Sequence, residues 1–241
     1  GVEIHYNKRL GRDFTVQSLK GDFDAVFVAI GAWSASSMRC PGEDAEGVFG
    51  GIDVLYKVAK GEKVDLGKKV CVVGGGNTAI DAVRTAVRLG AEEVYIVYRR
   101  GAEEVPARAE EVEDAKEEGV IFKLLNNPVC IHGEDGWVKG IEVVEQRLGE
   151  PDASGRRRPE PIEGSNNIID VETVVIAIGQ SPNPLIRQTT EGLETQKWGG
   201  IIVQEETNET TRKNVYAGGD VVTGAATVIL AMGAGKKAAK A

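Results

Sequence analysis

Cysteine is scarce in this chain, histidine is scarcer, and aromatic residues are few. The three cysteines, Cys40, Cys71 and Cys130, stand far apart, and no two form a C-x-x-C. That spacing excludes a local dithiol redox motif and gives no support for a secreted disulfide scaffold. A reducing compartment, the cytoplasm, is expected. His5 and His132 are the only histidines, too few for a histidine-rich metal centre or an evident catalytic triad. These five residues read as core or strand filler, and no metal site is expected. Aromatics make up 5% of the chain, which argues against a base-stacking nucleic-acid surface. No apolar run approaches the ~18 residues of a membrane span. No charged and then apolar leader opens the sequence. No general acid–base pair stands out.

Glycine, by contrast, is abundant at 31 of 241 residues, and it is favoured where backbone turns sharply or meets a ligand closely. The length amounts to roughly one and a half domains at ~150 residues each. The net charge of −8 argues against a general polyanion binder but leaves room for a local phosphate site.

Hydrophobic periodicity predicts the elements. Residues 1–6 alternate like a strand, 15–20 suggest a short helix, and 24–30 a buried strand ending at Gly31-Ala32. A helix is expected over 52–59, a strand over 69–73, a helix over 80–89 and a strand over 93–98. A helix over 107–118 follows, then strands near 120–125 and 138–144. A long polar hairpin loop is expected over 149–167, a strand over 170–178 and another over 198–204. The sequence after Asn214 predicts a short strand into Gly218-Gly219-Asp220, then an Ala-rich helix from about Ala225 to Ala241. One local pattern recurs, an apolar strand ending in Ala-Ile-Gly, at Ala29-Ile30-Gly31 and Ala177-Ile178-Gly179.

Gly74-Gly75-Gly76-Asn77-Thr78-Ala79 matches G-x-G-x-x-A between a strand and a helix. In that context the first glycine makes the tight turn, Gly76 lets backbone approach a pyrophosphate, and Ala79 lets the helix pack closely. The helix N-terminus then faces the phosphates. A site for NAD places a carboxylate ~20 residues on. Here that position, 99 − 79 = 20, holds Arg99 and Arg100. Two guanidiniums suit a 2′-phosphate, so NADP(H) is expected. The alternative is a solvated basic turn answering Glu103 and Glu104, acids that could also weaken the clamp. Gly219 with Asp220, ahead of a helix start at Ala226-Thr227, is a weaker second candidate for a ribose or ribitol hydroxyl and a pyrophosphate or flavin edge. Arg156-Arg157-Arg158 reads as solvated loop charge.

These residues carry a resemblance. Gly74–Asp81, Val94–Arg100, Leu148–Arg158, Ala177–Pro184 and Val215–Ala239 are similar to the small (beta) subunit of NADPH-dependent glutamate synthase. The same stretches resemble its relatives, the NADPH-binding subunit of ferredoxin:NADP oxidoreductases (sulfide dehydrogenase) and the flavin region of dihydropyrimidine dehydrogenase. The resemblance implies an α/β fold like glutathione reductase, a flavoprotein with two dinucleotide-binding domains. A complete Rossmann-like NADP(H) domain over 50–180 would be inserted into a partial FAD domain formed by 1–49 and 181–241.

By the same resemblance Gly31, Leu10, Gly219, Asp220, Ala226 and Thr227 fall on the FAD side. Gly74 to Ala79, Arg99, Arg100 and Ala177-Ile178-Gly179 fall on the NADPH side. The FAD fingerprint and the cysteine motifs that hold [4Fe-4S] clusters in the family precede the stretch seen here, so a C-terminal fragment is expected. It would bind NADPH, hold FAD weakly and be inactive alone. The implied activity is hydride transfer between NADPH and FAD in glutamate biosynthesis, beside a large catalytic or ferredoxin-linked partner subunit. No nucleic-acid or membrane partner is implied. A competing class is a non-catalytic NADP(H)-binding or redox-sensing module, which has no need of Ala226-Thr227.

Overall fold

The structure, a computed structural model, describes residues 1–151, Gly155 and 157–241. In chain order its elements are α1 (Val16–Asp22), β1 (Val26–Val28), β2 (Ser34–Ala35), β3 (Val48–Gly50), α2 (Gly51–Ala59), β4 (Lys69–Val73), α3 (Asn77–Arg88) and β5 (Glu93–Tyr98). Then come α4 (Ala109–Glu117), β6 (Ile121–Leu124), β7 (Asn126–Glu134), β8 (Trp137–Pro151), β9 (Arg157–Pro161), β10 (Asn167–Asp170) and β11 (Thr173–Ile176). The last are β12 (Gln180–Ser181), α5 (Leu185–Gln188), β13 (Val215–Ala217), α6 (Asp220–Thr223) and α7 (Val228–Ala238). The chain divides into two compact units, one of residues 1–34 and 180–241, the other of residues 35–179.

The larger unit is built on a parallel five-stranded sheet of order β3-β11-β4-β5-β6. Strand β4 is the sequence Lys69-Val-Cys-Val-Val73, buried from Val70 onward, the continuous apolar run that a sheet covered on both faces requires. Helix α3 turns Ala79, Ile80, Ala82, Val83 and Ala86 inward, a helical spacing, and these pack with Val70, Val72, Val94 and Ile96 of the sheet. The opposite face, through Cys71, Val73, Val97 and Val174, packs against Ile131, Ile141, Val143 and Ile169 of an antiparallel layer. That layer is β10-β8-β7, with β9 paired to the far part of β8. Residues 35–47 belong here because Met38, Cys40 and Ala45 pack on this second core. The unit therefore begins earlier than residue 50, where the sequence suggests a boundary.

In the smaller unit β1 and β13 pair in parallel, Val26 opposite Val215 and Val28 opposite Ala217. Val16, Val28, Ile186, Ile201, Val215 and Val221 form its core. Thr15 caps α1 reciprocally with Ser18, a capping box. This unit leaves much apolar surface in water: Val228, Ile229 and Leu230 of α7 are 75%, 79% and 62% exposed.

Several sequence expectations need correction. Residues 1–6 form no strand; Val2, Ile4 and Tyr6 are exposed, and alternation alone makes no strand without a neighbour to pair with. The strand expected over 170–178 is the shorter β11 of the parallel sheet, and Asp170 instead ends β10 of the antiparallel layer. The break falls at Glu172, whose carboxylate accepts the Lys68 and Lys69 amides. Residues 198–204 make only isolated bridges, Thr195 with Ile201 and Val203 with Thr210. Within the expected loop over 149–167, residues 157–161 form β9, which pairs antiparallel with β8.

Candidate functional site

The glycine turn is shaped by what lies against it. Gly74 has φ +145°, and a Cβ there would stand 2.3 Å from the Ala177 carbonyl oxygen. Only glycine fits both the angle and the approach. The turn and the end of β11 are thereby brought together, and the Ala177 amide donates to the Val73 carbonyl at 2.8 Å. Gly75 carries the Tyr98 ring, whose carbon would lie 2.7 Å from a Cβ. Gly76 differs. It has ordinary extended backbone as the N-cap of α3, and a Cβ on it would meet nothing within 4 Å. The helix start carries no side-chain cap. The Ala79 and Ile80 amides both turn back to the Gly76 carbonyl, while those of Asn77 and Thr78 have no acceptor within the helix. An open cradle at an uncapped helix N-terminus is what an anion needs. Ile178 and Gly179 are exposed, and Gly179 accepts from the Ser36 amide at 3.1 Å.

The loop after β5 is tied to this turn. Ala107 donates its amide to the Gly75 carbonyl at 3.2 Å, and Arg108 donates its amide to Asn77 Oδ1 at 3.2 Å. Tyr98 donates its hydroxyl to the Glu104 carbonyl at 2.7 Å. The two arginines at the strand tip part company. Arg99 is exposed, whereas Arg100 is 8% exposed and donates Nε to the Arg157 carbonyl at 3.1 Å.

Of the run Arg156-Arg157-Arg158, read as solvated charge, Arg158 is exposed as expected. Arg157 departs from that reading, because the β8–β9 ribbon delivers it to Glu104 and Glu103 at 2.6 and 3.2 Å. Arg156 lies outside the described residues. Glu103 and Glu104 thus pair with Arg157 rather than with the strand-tip arginines. Sequence reasoning missed Arg157 here because its partners are more than 50 residues away along the chain. It also missed Arg108, whose side chain is 71% exposed beside the glycine turn.

In the smaller unit, Gly31 follows β1 and Gly219 follows β13, so both lie beyond the carboxyl ends of a parallel pair, where ligands of open α/β sheets bind. Gly219 has φ +75°, and a Cβ on it would lie 3.3 Å from Ala231 of α7. Asp220 opens α6 and accepts the Ala226 amide at 3.2 Å. Thr227 is the N-cap of α7, accepting from Leu230 at 3.4 Å. Asp220, Ala226 and Thr227 are therefore neighbours. Leu10, ahead of α1 in the same unit, packs its partly buried side chain against the core.

The model of the family described as pyridine nucleotide-disulphide oxidoreductase matches residues 3–235. The chain belongs to that family. The NADP(+)-dependent formate dehydrogenase subunit beta of Moorella thermoacetica is 44% identical over 99% of this chain and 34% of its own length. The NADPH-Fe(3+) oxidoreductase subunit beta of Geobacter sulfurreducens is 41% identical over 100% of this chain and 39% of its own. The glutamate synthase [NADPH] small chain of Escherichia coli K12 is 38% identical over 99% and 54%. This chain thus spans about a third to a half of the relatives it matches.

Among solved structures, Mycobacterium tuberculosis FprA in complex with NADPH superposes with a TM-score of 0.76 at 23% identity, over 93% of this chain and 63% of FprA. Thioredoxin reductase of T. acidophilum gives 0.65 at 20% identity, over 90% and 64%. The fold is α/β and glutathione-reductase-like.

Proposed function

We propose that this chain is the NADP(H)-binding portion of an FAD-linked oxidoreductase subunit. The observation that carries it is the open, uncapped cradle at Gly76, tied through Asn77 and Gly75 to a loop that presents Arg99 to solvent. Gly74 to Ala79 with Ala177 hold the pyrophosphate at the α3 N-terminus. Arg99 takes the 2′-phosphate, and Arg100, already committed to Arg157, braces the loop. NADPH, when bound, supplies a hydride for which a flavin is the acceptor. On the flavin side Gly31, Gly219, Asp220, Ala226 and Thr227 serve as binding groups.

The exposed apolar face of α7, and a parallel sheet of two strands among the described residues in a class normally covered on both faces, support further residues completing the flavin-binding unit. The chain alone then binds NADPH, holds FAD weakly and does not turn over. The relatives' names, subunit beta or small chain, support a subunit role. Electron passage through iron–sulfur clusters outside this chain to a larger partner is the part of the proposal that rests on the resemblance alone. Glutamate synthase is one such setting. Relatives of similar identity serve formate and Fe(3+) enzymes, so the shared NADPH–flavin half is the function proposed, in the cytoplasm. No helix among the described residues is long and apolar enough to cross a membrane.

Fluorescence titration of the purified chain tests this reading. NADPH is expected to saturate one site and NADH to bind far more weakly; equal affinities overturn the 2′-phosphate assignment. A stoichiometric flavin absorbance band in the chain as purified overturns the weak-FAD clause.

A further inference from the structure

The antiparallel layer brings together three side chains that sequence reasoning set aside as filler or did not consider. In the β7–β8 ladder Cys130 stands opposite Glu142, Ile131 opposite Ile141 and His132 opposite Gly140. Opposed residues share a face and alternate residues return to it. Ile131 and Ile141 point into the core, so Cys130, His132 and Glu142 share the other face. His132 Nε2 lies 2.9 Å from Glu142 Oε2. One thiol sulfur, one imidazole nitrogen and one carboxylate oxygen all lie within 4.8 Å of one another. None of the three residues is fully exposed, and the Glu142 side chain is only 25% exposed.

The surroundings fix the arrangement. Gly140 leaves no side chain opposite His132, and a Cβ there would come to 3.0 Å of Ile168. Asn166 donates Nδ2 to Glu142 Oε1 at 2.7 Å, which holds the carboxylate by its other oxygen and leaves Oε2 to the cluster. This is the second-sphere contact that orients metal-binding carboxylates. The His132–Glu142 hydrogen bond joins two of the three groups, and the Cys130 thiol donates to the Ile131 carbonyl at 3.6 Å. Neither contact is what sets the sulfur within reach of both other donors; the register of the ladder does that. Thiolate, imidazole and carboxylate are the donors of a borderline-soft divalent ion, whereas Mg2+ and Ca2+ take oxygen.

We propose that Cys130, His132 and Glu142 form a binding site for a zinc-class divalent cation, with the fourth position open to water. At Zn–S and Zn–N lengths of about 2.3 and 2.0 Å, small side-chain rotations close the cluster. On binding, the Cys130 sulfur bonds the metal and its proton passes to solvent. Neutral His132 binds through a ring nitrogen, and the His132–Glu142 hydrogen bond gives way to two metal bonds. The site uses none of the nucleotide residues and stands independently of the proposed function.

Co2+ titration of the metal-free 241-residue chain tests it. One equivalent is expected to give tetrahedral visible bands and a near-ultraviolet thiolate-to-metal band, both bleached by Zn2+. Cys130→Ser should abolish the thiolate band, and Glu142→Gln should weaken Co2+ binding at least tenfold. The metal-free melting temperatures should stay alike, and Zn2+ should raise that of the wild type alone. No thiolate band at one equivalent, or an undiminished band in Cys130→Ser, overturns the site. Unchanged affinity in Glu142→Gln overturns it independently, should the cysteine variant fold poorly.

Discussion

Arg157 grips Glu104 with two nitrogens on one oxygen, Nε at 2.7 Å and Nη2 at 2.6 Å from Oε1. The Glu104 side chain is 9% exposed, and its Oε2 is buried with no hydrogen-bond partner among the described residues. Without Arg157 a nearly buried carboxyl group would lose its counter-ion. Arg157→Gln should therefore lower unfolding stability by about 1–3 kcal/mol, toward the lower figure because Arg157 is 41% exposed. Urea unfolding reads this directly. Adding Glu104→Gln should restore much of the loss; a double variant as unstable as the sum of the two singles sinks the coupling.

The division of labour between the strand-tip arginines predicts opposite phenotypes. Arg99 is exposed, so Arg99→Ala should leave the melting temperature nearly unchanged. It should weaken NADPH about 10–100-fold, the loss of a charge-assisted contact worth ~1.5–3 kcal/mol, and leave NADH binding as it was. Arg100 is buried and bonded to the β8–β9 ribbon, so Arg100→Ala should lower stability as well. Equal effects of the two variants on both readouts would refute the division.

The sequence made the parallel sheet and the glycine turn legible because their signals are local. A continuous apolar run, G-x-G-x-x-A and a helical spacing lie within one βαβ unit, and the structure gives β4, α3 and β5 within a few residues of expectation. The helix start near Ala226-Thr227 was readable for the same reason, although its cap and the bond from the Ala226 amide to Asp220 were not. Long-range pairing was not. The antiparallel ribbon that carries Arg157 to Glu104, and the register that puts Cys130 opposite Glu142, join residues whose own neighbours give no hint of partners. The alternation over residues 1–6 misled because a strand is completed by another strand, not by its own pattern.

Acid should loosen the larger unit at identifiable places. The amides of Lys68 and then Lys69 hold the Glu172 carboxyl below its ordinary value of 4.5. The Arg84 guanidinium, with Arg88, does the same for Glu118. A carboxylate depressed in the folded state stabilises it above the ordinary carboxylate range, and that contribution fades as pH falls through the lowered folded value. Unfolding free energy should thus be flat near neutrality and decline below about pH 5. Glu172→Gln should flatten that decline. An unchanged acid slope in the variant counts against Glu172 as a source.

Thiol labelling should sort the cysteines by burial. Cys71 is wholly buried, and desolvation pushes its thiol up to about 12, so almost no thiolate exists at neutral pH. Native-state alkylation should modify Cys40 and Cys130, which are partly accessible, and spare Cys71 until denaturant is added. Mass spectrometry of the labelled peptides reads the order, and early labelling of Cys71 would contradict the packing of β4.

Two alanine substitutions in the glycine turn should separate folding from binding. At Gly74 a Cβ meets the Ala177 carbonyl and a φ of +145°, so Gly74→Ala must displace β11 or the turn, and a large loss of stability is expected. At Gly76 the backbone is ordinary and the space empty. Gly76→Ala should then fold with wild-type stability or slightly better, yet fill the cradle where a pyrophosphate would approach and weaken NADPH by at least tenfold. Thermal melting and nucleotide titration on the same two proteins decide the matter. If Gly76→Ala binds NADPH as tightly as wild type, the cradle is not the phosphate site.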